Sequence, residues 1–221
     1  MRLLSAVKNA LVPHTRSPRR VRFGLYSGIK LDLDLRSQTQ MLLGLWERET
    51  YSFVRLEGAN AEWFIDIGAG SGEMSLYFLS RPNPVKVVAV EPNAAEVEAF
   101  RRHLRLNGLP LDACQILTKQ VGGHDGAVSL ADLRGPLHGK GFIKIDVDGA
   151  EMEVLRSAGS LLDAGQISML IETHSEQLET NCRTWLEKRG YRTSIIDTAW
   201  WRRVLPDGRV IAHNRWLAAV S

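Results

Sequence analysis

The stretch Phe64-Ile-Asp-Ile-Gly-Ala-Gly-Ser-Gly-Glu-Met-Ser-Leu-Tyr-Phe78 (FIDIGAGSGEMSLYF) joins an apolar run to a helical pattern through three glycines. WFIDIG predicts a buried strand, and GEMSLYFLS predicts the start of a helix. Glycines in such a turn let the backbone approach a ligand closely, and the N-terminus of the following helix presents unpaired N–H groups. The stretch therefore predicts a strand–loop–helix unit with a ligand site at the turn.

Strand and helix patterns continue to alternate after this unit. Strands are predicted at VKVVAVEP, CQILTKQV, GFIKIDV, SMLIETH and YRTSIIDT, and helices at AAEVEAFRRHLRLNG, AEMEVLRSAGSLL and SEQLETNCRTWLEKRG. Gly108 suits the C-terminal cap of the first of these helices. The alternation indicates a parallel sheet covered by helices on both faces. The tail differs, because residues 200–213 predict a hairpin around Pro206-Asp-Gly208 and residues 215–221 a final strand.

The first 60 residues do not follow this alternation. We expect a short amphipathic helix over residues 1–12, a polar connector over 13–20, two short strands within 21–35 and a helix over 37–58. No acid precedes Asp32, although basic residues are frequent there. We favour a solvated terminus over an arm that contacts nucleic acid or an anionic surface. The predicted division is a basic extension with a β-hairpin and helix (1–60) and a catalytic domain (61–221).

Composition restricts the class of protein. The 221 residues are 44% hydrophobic and 24% charged, with a formal net charge of +3, as in ordinary soluble proteins. No apolar run is long enough to span a bilayer, and Lys8 interrupts the only candidate leader. The two cysteines, Cys114 and Cys182, are far apart, which excludes a disulfide framework and a cysteine zinc site. We therefore expect a cytoplasmic location.

The glycine loop and a later acid together predict a nucleoside cofactor. Glu91 ends the next predicted strand, 19 residues after Gly72, where a carboxylate can accept hydrogen bonds from both hydroxyls of a ribose. The loop reads G-x-G-x-G rather than the dinucleotide pattern G-x-G-x-x-G. Asp66 precedes it, and a carboxylate there is unfavourable beside a pyrophosphate but favourable beside a sulfonium and its ammonium group. S-adenosylmethionine is thus favoured over a nicotinamide dinucleotide.

Three segments carry a resemblance to a known family. FIDIGAGSGEMSLYF, VVAVEPNAAEVEAFRRHLRLNG and FIKIDVDGAEMEVLRSA resemble the FkbM-type class I S-adenosylmethionine-dependent methyltransferases, over roughly residues 44–175. The resemblance implies a Rossmann-like fold with a seven-stranded, mostly parallel sheet whose last strand is antiparallel. It implies O-methylation of a sugar or small-molecule hydroxyl, and it implies that Glu47 in GLWERE (44–49) helps to close the cofactor site. The predicted cofactor-binding residues are Glu47, Asp66, Gly68, Gly70, Gly72, Glu91, Asn93 and Val121.

One segment departs from the family pattern. Many relatives carry an acid after the third strand in a v-G-D-x-x-G segment, whereas VGGHDG (121–126) has Gly123 at that position. If that acid contacts adenine in relatives, Asp125 or a backbone group must replace it here.

The acids of Phe142-Ile-Lys-Ile-Asp-Val-Asp-Gly-Ala-Glu151 need separate explanations. Alternation along the strand places Lys144, Asp146 and Asp148 on one face, so we expect Lys144 to pair with a carboxylate. Asp148 and Glu151 have the D-x-x-E spacing of a capping box, and we interpret them as the start of a helix. Asp146 has no such explanation, and it lies at the carboxyl end of a central strand, where open α/β sheets bind ligands. We predict that it is catalytic.

The neighbouring strand ends in Ile171-Glu-Thr-His174, which places Glu172 and His174 on one face. Transfer of a methyl group to a hydroxyl requires that the hydroxyl lose its proton, and a positioned histidine can accept it. His174 is the predicted base, oriented by Glu172 or Asp146, although His174 could instead merely begin the next helix. The same trio could hold a divalent cation. Nothing in the spacing requires one, so we predict no metal.

The predicted function is S-adenosylmethionine-dependent O-methylation of a sugar or secondary-metabolite hydroxyl. The alternatives are an RNA methyltransferase that uses the basic arm, a nicotinamide-dependent oxidoreductase, and a non-catalytic adenosyl-binding protein. Against RNA, no N-P-P-Y or D-P-P-Y segment follows the fourth strand. The predicted partner is therefore a small-molecule acceptor rather than nucleic acid or a membrane, although the basic arm could contact anionic surfaces.

Overall fold

The computed structural model describes residues 12, 15–123, 125–135, 137–203, 213 and 215–221. The described chain begins with an antiparallel hairpin of β1 (Ser17–Arg20) and β2 (Lys30–Leu33). The later strands are β3 (Trp63–Ile67), β4 (Lys86–Val90), β5 (Gln115–Leu117), β6 (Gly141–Ile145), β7 (Ile167–Thr173), β8 (Arg192–Ile196) and β9 (Arg215–Val220). The helices are α1 (Thr39–Leu42), α2 (Tyr51–Gly58), α3 (Glu73–Leu79), α4 (Ala94–Leu106), α5 (Leu130–Arg134), α6 (Glu151–Arg156) and α7 (Glu176–Glu187), with 3₁₀ turns at Arg48–Thr50, Leu161–Ala164 and Trp200–Arg203.

Strands β3 to β9 form one seven-stranded sheet in the order β5-β4-β3-β6-β7-β9-β8. Strands β3 to β7 are parallel, and β9 runs antiparallel to both of its neighbours, β7 and β8. The predicted fold class is confirmed, including the antiparallel last strand. The chain leaves β3 toward β4 and β5 on one side and later returns to β6 on the other. The carboxyl ends of β3 and β6 therefore flank the switch point, where such sheets bind ligands.

Each face of the sheet has its own apolar core. Phe64 and Phe142 point to one face, where Phe64 stacks on Phe78 of α3 at 4.2 Å between ring centroids. Ile65 and Ile143 point to the other face and pack under α6 and α7. Because side chains alternate along a strand, Asp66 follows Phe64 onto the first face and Lys144 follows Phe142. Two charged residues are thus carried into the interior beside a phenylalanine cluster.

His103 in the last turn of α4 and Asn107 at its C-cap connect the N-terminal hairpin to the rest of the chain by hydrogen bonds. Asn107 accepts from the Lys30 N–H at 2.8 Å and donates to the Lys30 carbonyl at 2.7 Å. The buried His103 accepts from the Asp32 N–H at 3.0 Å, and its Nδ1 contacts the Ser71 carbonyl at 2.8 Å. The hairpin is therefore bonded, through His103, to the glycine-rich loop after β3.

Three local predictions are wrong. The first hairpin strand lies at residues 17–20, within the predicted connector, and a turn occupies residues 21–29. The helix predicted over 37–58 is broken, because Gly44 and Glu47 adopt left-handed backbone angles of φ +67° and +48°. Gly44 packs so closely on residue 23 that a Cβ would lie 2.1 Å from its carbonyl oxygen. Residues Trp200–Arg203 form a 3₁₀ turn rather than a strand.

Other predictions are confirmed or fall outside the described residues. The cap of α4 is as expected, with Gly108 at φ +70° just beyond it. Cys114 and Cys182 are free and buried. The helix predicted over 1–12 and the turn at 206–208 lie outside the described residues. In the described part of the chain, every helix is too short or too polar to cross a bilayer.

Candidate active site

The glycine loop after β3 is shaped by close backbone packing. Gly68 has φ +72°, and a Cβ there would lie 1.7 Å from the carbonyl oxygen of Asp146. Gly72, at φ +86°, lies against Phe100, whose ring would be 2.2 Å from an added Cβ. Gly70 also has positive φ, at +52°, but faces open space. Two of the predicted glycines are therefore required by packing, while Gly70 leaves room for a ligand.

Two cavities meet at the carboxyl edge of β3 and β6. The smaller, of about 240 Å³, includes Glu47, Asp66, Gly70 and Lys144 in its wall. The larger, of about 450 Å³, includes Glu91, Val121 and Asp148. Gly68 and Asp146 line both cavities. A ligand that occupied both cavities would pass over Gly68, and the middle of the ligand would lie beside Asp146.

The smaller cavity carries an excess of negative charge. Its described wall contains four carboxylates, Glu47, Asp66, Glu73 and Asp146, against one ammonium, that of Lys144. Asp66 is buried, and its Oδ2 accepts from the Ser75 hydroxyl at 2.6 Å, while Oδ1 has no hydrogen-bond partner among the described residues. Burial raises the pKa of Asp66 above its ordinary value, against the opposing effects of Lys144 and Ser75. A buried carboxylate oxygen without a partner is costly, and a cationic ligand in this cavity would offset the negative charge of Asp66.

The larger cavity contains the acid that was expected to bind a ribose. Glu91 accepts from the Gly70 N–H and from the Asn93 N–H, both at 2.8 Å, so its side chain is held toward the loop. Val121 lines the same cavity, as predicted. The Asn93 side chain lines neither cavity and instead caps α4 by accepting from the Ala95 N–H at 2.9 Å. Asp125 is exposed and lines neither cavity.

Lys144 and Asp146 form a buried ion pair at the junction of the cavities. The Lys144 ammonium donates to Asp146 Oδ2 at 3.0 Å and to the Gly68 carbonyl at 3.2 Å. Burial disfavours the charged forms of both side chains, but each charge outweighs that effect on its partner. The pKa of Asp146 is therefore lowered and that of Lys144 raised. The expected pairing of Lys144 with a carboxylate is confirmed.

His174 follows β7 and lies at the same edge of the sheet. Its Nδ1 contacts Glu151 Oε1 at 2.5 Å, and its Nε2 lies 3.9 Å from Asp146 Oδ1 and 3.5 Å from Asp148 Oδ1. The bond to Glu151 raises the pKa of His174, and burial partly opposes the rise. All three acids of the FIKIDVDGAE stretch therefore surround one imidazole.

The interpretation of Asp148 and Glu151 as a capping box is wrong. The residue that caps α6 is Ala150, without a side-chain hydrogen bond. Asp148 has a left-handed backbone angle of φ +38° and a side chain that is 90% exposed, so it does not reach the helix N–H groups. Glu151 does accept from the Gly149 N–H at 3.1 Å, but it is fully buried and faces His174. Spacing alone could not distinguish these roles, because the D-x-x-E pattern is the same in both.

Glu172 completes the predicted catalytic trio. It is buried at the end of β7, and its hydrogen bond to Asp146 contributes to the low pKa of that acid. One donor atom from each of Asp146, Glu172 and His174 lies within 4.8 Å of the others, a spacing that would admit a divalent cation. Lys144 already supplies a positive charge to this group. The geometry would thus accommodate a metal beside a cation that is already present.

Comparison with known proteins finds a family model that matches part of the chain. The model of the FkbM methyltransferase domain matches residues 127–193, a segment that runs from before α5 to β8 and contains Asp146, Glu151 and His174. Over this segment the chain resembles the FkbM methyltransferases. The resemblance found in the sequence is thus confirmed. No match is found among curated proteins.

Solved methyltransferase structures share the fold of this chain. Methyltransferase FkbM from Methylobacillus flagellatus KT superposes with a TM-score of 0.57 at 16% identity, over 72% of this chain and 43% of that one. The METTL16 methyltransferase domain with a shortened N-terminus gives 0.58 at 16% identity, over 88% and 89% of the two chains. Precorrin-6y C5,15-methyltransferase from Geobacter metallireducens GS-15 gives 0.52 at 17%, over 78% and 86%. At these low identities the superpositions show the fold alone. The chain spans less than half of the Methylobacillus protein.

Substitution of Gly68 should separate steric packing from backbone strain. Gly68→Ala and Gly70→Ala both place a side chain at positive φ, which costs about 1–2 kcal/mol. Only the first drives a Cβ into the Asp146 carbonyl. We expect Gly70→Ala to fold with a loss of that size, and Gly68→Ala to lose several kcal/mol more or fail to fold. Urea denaturation of the ligand-free proteins measures the difference, and equal losses would contradict the close packing.

Proposed function

We propose that the protein is an S-adenosylmethionine-dependent methyltransferase that methylates a hydroxyl of a small molecule, a sugar or a secondary metabolite. The observation that carries the proposal is the pair of cavities that meet at Gly68 and Asp146. Glu91 lines one of them, and Asp66, whose Oδ1 has no hydrogen-bond partner among the described residues, lines the other. In this proposal residues 1–60 form an extension that contributes Tyr26 and Glu47 to the cofactor site of the catalytic domain, residues 61–221.

The residues fit the two ends of this cofactor. Glu91 would accept hydrogen bonds from the ribose hydroxyls, with Val121 beside the adenine. Asp66 and Glu47 would bind the ammonium of the methionine portion, because the smaller cavity has excess negative charge. Gly70 leaves open space in the same wall. A nicotinamide dinucleotide would instead place a pyrophosphate near Asp66, where like charges repel.

The side chains after β6 and β7 provide the acid–base chemistry. S-adenosylmethionine, when bound, supplies a methyl group on a sulfonium that an acceptor oxygen takes by in-line displacement. His174 Nε2 would accept the proton of that hydroxyl, since Nδ1 is already engaged by Glu151. Asp146, held by Lys144, and Glu172 would orient the imidazole and the acceptor. We propose no metal, because the Lys144 ammonium stabilises this acidic group.

An acceptor made of RNA is less well supported than a small molecule. Two basic residues of the predicted arm serve the hairpin itself, since Arg16 donates to the Asp32 carbonyl at 2.9 Å and Arg20 to the Gly28 carbonyl at 3.2 Å. Incubation with methyl-labelled S-adenosylmethionine and separate pools of hydroxylated sugars, secondary metabolites and RNA tests the acceptor class. Label in RNA alone would replace the small-molecule proposal.

Calorimetry tests the cofactor directly. We expect S-adenosylhomocysteine to bind the full chain and NADH not to bind, because the Asp66 carboxylate favours an ammonium over a pyrophosphate. Binding of NADH without any response to S-adenosylhomocysteine would overturn the proposal. Binding of S-adenosylhomocysteine with no transfer to any pool would favour a non-catalytic adenosyl-binding protein.

Substitution of Asp66 tests which end of the cofactor it contacts. Asp66→Asn should weaken S-adenosylhomocysteine roughly 10- to 100-fold, the loss expected for one charge-assisted hydrogen bond. The affinity for 5′-methylthioadenosine, which lacks the ammonium, should not change. Asp132→Asn is the matched control, because it removes the same single negative charge from an exposed acid in α5 that lines neither cavity. Equal weakening of both ligands by Asp66→Asn would contradict the assignment.

The pH dependence of methyl transfer tests His174. A base must be neutral, and the pKa of His174 is raised by Glu151 above its ordinary value of about 6.5. The rate at saturating cofactor should therefore fall as the pH drops through that raised pKa. His174→Gln should lower the rate roughly 10²- to 10⁴-fold and remove this limb of the profile. Persistence of the same limb in His174→Gln would assign the base elsewhere.

A further inference from the structure

We infer that Glu151 is a positioning residue of the reaction, which fixes the tautomer of His174 so that the lone pair of Nε2 faces the acceptor site. The inference rests on the proposed function and goes beyond it, because the sequence explained Glu151 only as part of a helix cap. Its basis is the burial of Glu151, its contacts and the direction in which it holds the imidazole.

The hydrogen bonds of Glu151 define the direction of proton donation. Oε1 accepts from the Gly149 N–H at 3.1 Å and lies 2.5 Å from His174 Nδ1. This oxygen already acts as a carboxylate acceptor toward the Gly149 N–H. It accepts a second hydrogen bond from the imidazole in the same way, so Nδ1 carries the proton. In the neutral ring Nε2 must then be the acceptor. That nitrogen faces Asp146 and Asp148, which both line the larger cavity.

The burial of Glu151 is difficult to explain by stability. Its side chain is fully buried, and Oε2 has no hydrogen-bond partner within the described residues. A buried carboxylate with one unsatisfied oxygen costs free energy, and a helix start does not require it, since Ala150 caps α6. A residue that is costly to bury and faces the proposed base has the properties of a functional partner.

The local backbone explains how the acid reaches the histidine. Asp148 and Gly149 both have positive φ, +38° and +107°, and these angles reverse the chain directly after β6. The reversal leaves Asp148 exposed and turns the first residue of α6 inward toward the end of β7. Because β6 and β7 are adjacent and parallel, Glu151 and His174 meet although 23 residues separate them.

Nitrogen NMR of the full chain labelled with ¹⁵N-histidine tests the inference independently of activity. In the free protein and in its complex with S-adenosylhomocysteine, at a pH where His174 is neutral, Nδ1 should carry the proton and Nε2 should not. His174→Gln assigns the signals among the six histidines of the chain. Glu151→Gln should yield a mixture of tautomers, because an amide can donate to Nδ1 as well as accept from it. An unchanged tautomer in Glu151→Gln overturns the inference.

Kinetics then separates positioning from a structural role. Glu151→Gln should lower kcat roughly 10²- to 10⁴-fold with the acceptor found by the labelling experiment. The KM for the acceptor and the affinity for S-adenosylhomocysteine should stay within about twofold, because Glu151 contacts neither cavity directly. Glu176→Gln, at an exposed acid in the first turn of α7, should leave all three quantities unchanged. A changed tautomer with an unchanged kcat would equally overturn the positioning role.

A second variant tests the inference if Glu151→Gln does not fold. Glu151→Asp keeps the charge but shortens the side chain by one methylene, so it cannot maintain the 2.5 Å contact to Nδ1. It should therefore show the same changes in tautomer and kcat, and retention of both would overturn the inference. Failure of the proposed function is distinguishable, because it would abolish binding of S-adenosylhomocysteine while leaving the tautomer of the free protein as described.

Discussion

The buried ammonium of Lys144 is the interaction on which the site depends. It binds the Asp146 carboxylate and the Gly68 carbonyl, and so joins the end of β6 to the loop after β3. Burial alone would remove its charge, but Asp146, Asp66 and Glu47 keep it protonated. Without this one cation, four carboxylates would face each other across the smaller cavity. This charge balance keeps Asp146 ionised where the two cavities meet, and Asp66 lines the smaller cavity beside it.

The sheet supplies the second constraint, because it decides which strand ends are neighbours. The order β4-β3-β6-β7 places Glu91, the glycine loop, Asp146 and His174 along one edge. Gly68 packs against the Asp146 backbone so closely that only glycine fits there. The N-terminal segment then covers it, since Tyr26 and Glu47 line the smaller cavity and His103 bonds the hairpin to the loop. The site therefore depends on residues far outside the segment that matches the family model.

Much of this arrangement was predictable from local pattern. The G-x-G-x-G loop, the strand alternation of FIKIDV and SMLIETH, and the position of Glu91 are short-range features. The parallel strands of the main sheet, the pairing of Lys144 with a carboxylate and the sheet class were therefore predicted correctly. The errors arose where packing overrides propensity. Gly44 interrupts the predicted helix because its backbone packs against residue 23 and leaves no room for a side chain. The first hairpin strand forms in a proline-containing segment because β2 pairs with it. No local pattern contains either partner.

Periodicity and turn chemistry act over a few residues, so they suffice to predict the fold class, the glycine loop and the acids at the strand ends. The contacts of those acids depend instead on segments that are distant along the chain. The spacing of Asp148 and Glu151 is the same in a helix cap and in a histidine partner, and the choice depends on a backbone reversal at Asp148 and Gly149 and on the adjacency of β6 and β7. The sheet places the ends of these two strands side by side, and so brings Glu151 Oε1 to 2.5 Å from Nδ1 of His174, 23 positions away in the sequence.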